Sequence, residues 1–140
     1  EKNNIYRKLL KNISPVDLEP EVLSTMDSIR KTGVKLAIGS SSKNTKLILH
    51  QLGLEEYFDA VSDGTNITRS KPDPEVFLKA AEFLHIAPKD CLVVEDAKAG
   101  VEAAKAGGMD CAAVGDAKKY GTADYDLERL SDLINIAAIQ

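Results

Sequence analysis

Short apolar runs alternate with longer amphipathic stretches through most of this chain. Val34 to Gly39, residues around Asp59 to Ser62, Leu92 to Glu95 and Asp110 to Val114 read as strands. Between them apolar residues recur at helical spacing. Val22, Leu23, Met26 and Ile29 form a stripe on a helix opened by Pro20 and running to about Lys31. A second helix spans about Asn44 to Leu52. A third follows Lys71-Pro72-Asp73-Pro74 with Val76, Phe77, Ala80, Ala81 and Leu84 on one face, and a fourth runs from Ala97 to Ala106. Gly33, Gly53 and Gly107-Gly108 are the expected stops. Leu127 to Leu133 is expected to be helical. Residues 1–12 are polar and helix-compatible, with Ile5, Leu9 and Leu10 on one face, and Ile13 to Glu19 reads as a connector. Strands alternating with helices predict an α/β fold: three Rossmann-like layers, a parallel sheet with helices on both faces and right-handed crossovers. Ligands in such sheets sit at the carboxyl ends of the strands.

The 140 residues suit one domain, with no internal repeat or linker. Lys and Arg number 18 against 22 Asp and Glu, a formal charge of −4. The chain offers no basic stripe for nucleic acid, and no apolar run approaches a membrane span. Cys91 and Cys111 lack metal-ligand spacing and read as buried, reduced thiols of a cytoplasmic protein. His50 and His85 read as helix-surface residues.

Three groups at strand ends carry candidate chemistry. Ser40 follows the strand Val34 to Gly39; its hydroxyl, with the amides of Ser41 and Ser42, suits an anionic oxygen, although capping the next helix is the plainer role. Lys71 is a compact positive charge suited to a phosphate, or else a solvated surface lysine. Glu95 and Asp96 are adjacent acids after a buried strand. They either meet a cation such as Mg²⁺, or Asp96 caps the following helix while Glu95 faces solvent. Together the three groups describe a Mg²⁺-dependent phosphoryl-transfer pocket.

The ordered segments Ala37-Ile38-Gly39-Ser40-Ser41-Ser42-Lys43-Asn44, Ser70-Lys71-Pro72-Asp73-Pro74-Glu75-Val76-Phe77 and Val93-Val94-Glu95-Asp96-Ala97-Lys98-Ala99-Gly100 resemble the second, third and fourth motifs of the haloacid dehalogenase superfamily. Ser42-Lys43-Asn44 and Phe58-Asp59-Ala60-Val61 resemble its β-phosphoglucomutase subfamily most closely. The resemblance implies that Ser40 and the Ser41 backbone hold the transferring phosphate and that Lys71 neutralises it and the nucleophile. It implies that Glu95 and Asp96 are ligands, direct or through water, of catalytic Mg²⁺. The implied substrate is a phosphosugar, β-glucose 1-phosphate being converted to glucose 6-phosphate through a bisphosphate and an aspartyl-phosphate enzyme.

One part of that pattern is missing. The family's first motif, Asp-x-Asp-x-Thr or Val, supplies nucleophile and acid/base at the end of a central strand and precedes a helical cap. The sole Asp-x-Asp here, Asp124-Tyr125-Asp126, follows Tyr120-Gly121-Thr122-Ala123 rather than an apolar strand and reads as a surface loop. The chain is therefore expected to be a partial core, residues 1–12 ending a cap or linker helix, with the first, central strand and the cap absent. The sheet should then carry a gap between the strands ending at Gly39 and Glu95, unless it closes or a missing N-terminal segment or another copy supplies a strand. Such a chain is expected to be inactive alone. Competing expectations are a related phosphatase of a small phosphorylated metabolite, one piece of a split enzyme, and a non-catalytic α/β binding module. A receiver-like module places its acids before its lysine, the reverse of the order here.

Overall fold

Apolar runs buried on both faces need covering on both faces, and the chain satisfies this with one parallel sheet of six strands. The structure is a computed structural model and describes residues 8–11 and 20–134. Its elements are β1 (Lys8–Lys11), α1 (Pro20–Arg30), β2 (Lys35–Gly39), α2 (Thr45–Gln51), β3 (Ala60–Ser62), α3 (Glu75–Leu84), β4 (Cys91–Glu95), α4 (Lys98–Ala106), β5 (Asp110–Ala113) and β6 (Tyr125–Asp126). The strand order is β3-β2-β1-β4-β5-β6.

Period-two alternation sorts the strand residues between the layers. Cys91 and Val93 of β4, with Ala37 and Cys111, pack against Val76, Phe77, Ala80 and Ala81 of α3 and Val101, Ala103 and Ala104 of α4. Leu92 and Val94, with Leu36 and Ala112, face Met26 and Ile29 of α1, Leu127 and Leu133. Ile38 meets Leu49 and Leu54 beside α2. The three-layer expectation therefore holds. Among the described residues no helix is long and apolar enough to cross a membrane.

The expected gap is absent. Lys8–Lys11 pairs in parallel with β2, Lys8 opposite Lys35, and with β4, Lys8 opposite Cys91. Lys8-Leu9-Leu10-Lys11 was expected within a helix. Its two leucines between lysines set neither period, and two strand edges with unpaired amides and carbonyls decide the conformation instead. No second copy or outside segment is needed to fill that place. The helix expected for residues 1–7 and 12 and the connector of residues 13–19 lie outside the described residues.

The carboxyl end of the chain differs as well. In place of a helix from Leu127 to Leu133, a 3-10 turn spans Leu130–Asp132, with the Asp132 side chain accepting from the amides of Glu128 and Arg129. Asp124-Tyr125-Asp126, expected as a loop, provides β6, with Ala112 opposite Tyr125. Asp124 accepts the Cys111 amide at 2.8 Å and pairs with Lys105 at 2.7 Å, so it anchors a sheet edge.

Two weak acids, the buried Cys111 thiol and the half-buried Tyr57 phenol, make the fold sensitive to alkali. Burial, then the charges of Glu95 and Asp124, push the Cys111 thiol from 9.0 up to about 12. Burial and the hydrogen bond to Asp27 push the Tyr57 phenol from 10.0 to about 12. Both are held neutral by the fold, so the stability they carry is intact below their ordinary values and is lost as pH climbs toward about 12. The melting temperature is expected to fall above about pH 9, and less steeply in Tyr57→Phe. A flat profile up to about pH 11 would contradict this.

Candidate functional site

A parallel sheet brings all its carboxyl ends to one side, and the turns after β2, β3 and β4 meet there. The last residue of β2, Gly39, has no room for a side chain: a Cβ there would lie 2.6 Å from the Phe77 ring. Ser40 is buried and its amide donates to Ser62 O at 3.0 Å, tying the turn to the end of β3. The Ser40 Oγ accepts the Ser42 amide at 3.2 Å. Its own hydroxyl proton has no acceptor among the described residues. Ser40 is not a helix cap, since α2 starts only at Thr45. The Ser42 amide, expected to face an anion, is turned inward to Ser40. Gly64 backs the turn, its amide donating to Ser42 O at 2.9 Å. A Cβ on Gly64 would stand 2.4 Å from Ser41 O.

Lys71 enters from the loop before α3, and its peptide bond to Pro72 is cis. Its amide reaches Ser41 Oγ at 3.5 Å. Its ammonium donates to Glu95 Oε2 at 2.9 Å and lies 4.8 Å from the centre of the Phe77 ring. The lysine side chain is 11% exposed and that of Glu95 is 0% exposed. Lys71 is therefore not a solvated surface lysine, and Glu95 does not face solvent.

Both oxygens of Glu95 are engaged. Oε2 takes the Lys71 ammonium, and Oε1 accepts the amides of Asp96 at 3.1 Å and Ala97 at 3.2 Å. Burial pushes the Glu95 carboxyl above its ordinary value, and the Lys71 charge opposes the rise without cancelling it. The first turn of α4 makes room for it: a Cβ on Gly100 would sit 2.0 Å from Glu95 Cδ. Asp96 is exposed beside it.

The arrangement thus joins Ser41 to Lys71 and Lys71 to Glu95, with Ser40 behind and Asp96 at the surface. Among the described residues no three His, Cys, Asp or Glu side chains cluster to hold a metal. His50 is exposed and meets Glu55 at 2.9 Å, while exposed His85 closes α3 in a left-handed conformation (φ 57°). Sequence reasoning did not single out Phe77, Gly64, Gly100 or Asp63 as parts of this site. Asp63 is fully buried after β3, its Oδ1 accepting Thr65 N at 2.9 Å and Thr65 Oγ1 at 2.6 Å. The glycines follow the acids and serines they accommodate by spacing alone, which becomes a signal only once the strand ends are known to converge.

The model of haloacid dehalogenase-like hydrolases matches residues 2–114 of this chain. The chain belongs to the haloacid dehalogenase-like hydrolase family. Among curated haloacid dehalogenase-like relatives, the β-phosphoglucomutase of Bacillus subtilis is 36% identical over 132 residues, covering 94% of this chain and 58% of that protein. The phosphorylated carbohydrates phosphatase of Thermotoga maritima is 35% identical over 112 residues, 79% of this chain and 49% of its own length. The chain thus spans about half the length of these relatives. The crystal structure of a haloacid dehalogenase phosphatase from Thermococcus onnurineus superposes with TM-score 0.76 at 32% identity, over 84% of this chain and 56% of that one. In this chain the strand between β2 and β4 reads Lys8-Leu9-Leu10-Lys11, without an aspartate.

Proposed function

We propose that this chain is the phosphate- and metal-binding part of a Mg²⁺-dependent phosphoryl-transfer enzyme acting on phosphorylated sugars, similar to β-phosphoglucomutase. The observation that carries the reading is the buried Lys71–Glu95 pair beside the Ser40–Ser42 turn. Phosphoryl transfer depends mainly on positioning and charge compensation, and these groups offer both. The Ser40 hydroxyl donates its remaining proton to a phosphate oxygen, and the Lys71 ammonium, aimed by Glu95 and the Phe77 ring, faces the same charge. Mg²⁺ takes one or two carboxylates together with phosphate oxygens, and Glu95 with Asp96 is a donor set of that kind. The exposed Asp96 would hold the ion and Glu95, already accepting three hydrogen bonds, would stand behind it. When bound, the ion supplies further positive charge opposite the phosphoryl oxygens.

No Asp-x-Asp follows an apolar strand here, so residues 1–140 form a partial core that binds phosphate but does not turn substrate over. The two buried cysteines, Cys91 and Cys111, suit a cytoplasmic setting. Inorganic phosphate with Mg²⁺ is expected to perturb the amide resonances of Ser41, Lys71 and Asp96, and Lys71→Met to abolish the effect. Neither β-glucose 1-phosphate nor p-nitrophenyl phosphate should be consumed by the chain alone. Unperturbed amides would overturn the binding reading, and turnover dependent on Lys71 would overturn the partial-core reading.

The phosphatase relative at 35% identity supports a second reading, hydrolysis of a small phosphorylated metabolite. In an active longer form, mutase action on β-glucose 1-phosphate without phosphate release separates the two.

A further inference from the structure

We propose that Glu75 is a positioning residue that fixes the loop carrying Lys71, so that the ammonium is presented to the phosphate site in one geometry. The proposal rests on the phosphate-binding reading above and adds to it a residue outside the pocket. A lysine has a long, flexible stem and can serve as a defined point charge only if its backbone is held. Lys71 lies in a segment without regular structure between β3 and α3, and such segments drift unless their polar backbone groups are tied down.

The ties are visible. Glu75, the first residue of α3, turns its side chain back along the chain. Its Oε1 accepts the amide of Thr68 at 3.0 Å, the Thr68 hydroxyl at 3.2 Å and the amide of Arg69 at 2.9 Å. Three donors on one carboxylate oxygen hold the residues immediately ahead of Ser70 and Lys71. The Glu75 amide is itself engaged, donating to Asp73 Oδ1 at 3.0 Å. Asp73 in turn faces Arg69 at 3.8 Å, and its own amide donates to Ser70 O at 3.0 Å. Beyond Lys71 the chain passes into α3, whose Phe77 ring lies under the ammonium. The loop is therefore fastened on both sides of Lys71 to a single helix start, and the carboxylate of Glu75 makes the upstream fastening.

Helix α3 itself is secured without Glu75, because Val76, Phe77, Ala80 and Ala81 are buried against the sheet. Removing the carboxylate should free the loop and leave the helix in place. Its hydrogen bonds pull the Glu75 carboxyl below its ordinary value, the Arg69 amide contributing most, as expected of a carboxylate held by several donors.

The test uses the whole 140-residue chain with Glu75→Ala, Glu75→Gln and, as a control on the same helix, Glu82→Ala. Three quantities are measured: amide exchange at Thr68 and Arg69, the Lys71 ammonium resonance by nitrogen-detected NMR, and affinity for inorganic phosphate with Mg²⁺. Glu75→Ala is expected to speed exchange at both amides about tenfold or more, to broaden the Lys71 ammonium signal, and to weaken phosphate about tenfold, with a cooperative melt retained. Glu75→Gln keeps an acceptor oxygen and should rescue most of the loss. Glu82→Ala should change none of the three.

An unchanged Lys71 ammonium signal in Glu75→Ala would overturn the proposal, whatever happens to the amides. So would faster exchange with unaltered phosphate affinity. If the unsubstituted chain binds no phosphate, the function reading fails, and the ammonium signal still decides whether Glu75 holds Lys71.

Discussion

Replacing Gly100 with alanine is expected to destabilise the chain, although the same change in an ordinary helix interior stabilises by about 0.5–1 kcal/mol. Gly100 lies in the first turn of α4, where its backbone faces the Glu95 carboxyl. A methyl group there would stand 2.0 Å from Cδ and 2.1 Å from both Cγ and Oε2. That side chain cannot yield cheaply, since Glu95 is buried and both its oxygens are engaged. Overpacking costs about 1–3 kcal/mol, and a disordered buried polar group adds a comparable amount, so a net loss on the order of 3 kcal/mol is expected. Urea unfolding measures it, and the sign alone is decisive. A Gly100→Ala chain as stable as its parent would mean that Glu95 is not seated as described. The same variant should lose phosphate binding, because displacing Glu95 removes the partner that aims Lys71.

The second large effect is expected from Lys71→Met. Lys71→Met removes the ammonium that donates to Glu95 Oε2, and breaking a buried ion pair by deleting one partner costs about 3–5 kcal/mol. Set against the roughly 5–15 kcal/mol that holds a typical domain together, this is a major fraction. The charge explanation has its own check. Adding Glu95→Gln to Lys71→Met removes the stranded carboxylate, keeps an oxygen for the Asp96 and Ala97 amides, and should restore more than half of the loss at neutral pH. A double variant no better than the single one would assign the loss to packing of the lysine stem over Phe77. An undiminished Lys71→Met chain would contradict the buried pair itself.

The parts of this fold that could be read from sequence are those whose local signals agree. β4 is apolar from Cys91 to Val94, α3 carries an apolar stripe after two prolines, and Gly33 and Gly53 end their helices at positive φ. Ser40, Lys71 and Glu95 could be found because chain order alone sends successive strand ends to one side. Their mutual arrangement could not. That Glu95 is buried and Asp96 exposed depends on the turn into α4, and that Ser40 binds the Ser42 amide rather than capping α2 depends on the helix starting at Thr45. Lys8–Lys11 could not be read at all, because its conformation is imposed by two strands far away in sequence. Leu127 to Leu133 has helical spacing, but Leu127 and Leu133 both join the hydrophobic layer of α1, and the stretch between them forms a 3-10 turn at Leu130–Asp132.

That distant pairing bears on the order in which the molecule assembles. β1 pairs with β2 across a single crossover, Lys8 opposite Lys35, but its partnership with β4 joins Lys8 to Cys91, closing a loop of about 80 residues. The pairs β2–β3 and β4–β5 are each built across a much shorter crossover. Long-range contacts form late because their loop entropy must be overcome before they are rewarded. A chain diluted from denaturant should therefore protect the amides of Ile38 and Cys111, each in a short-range strand pair, before those that join β1 to β4, the seam between the two halves of the sheet closing last.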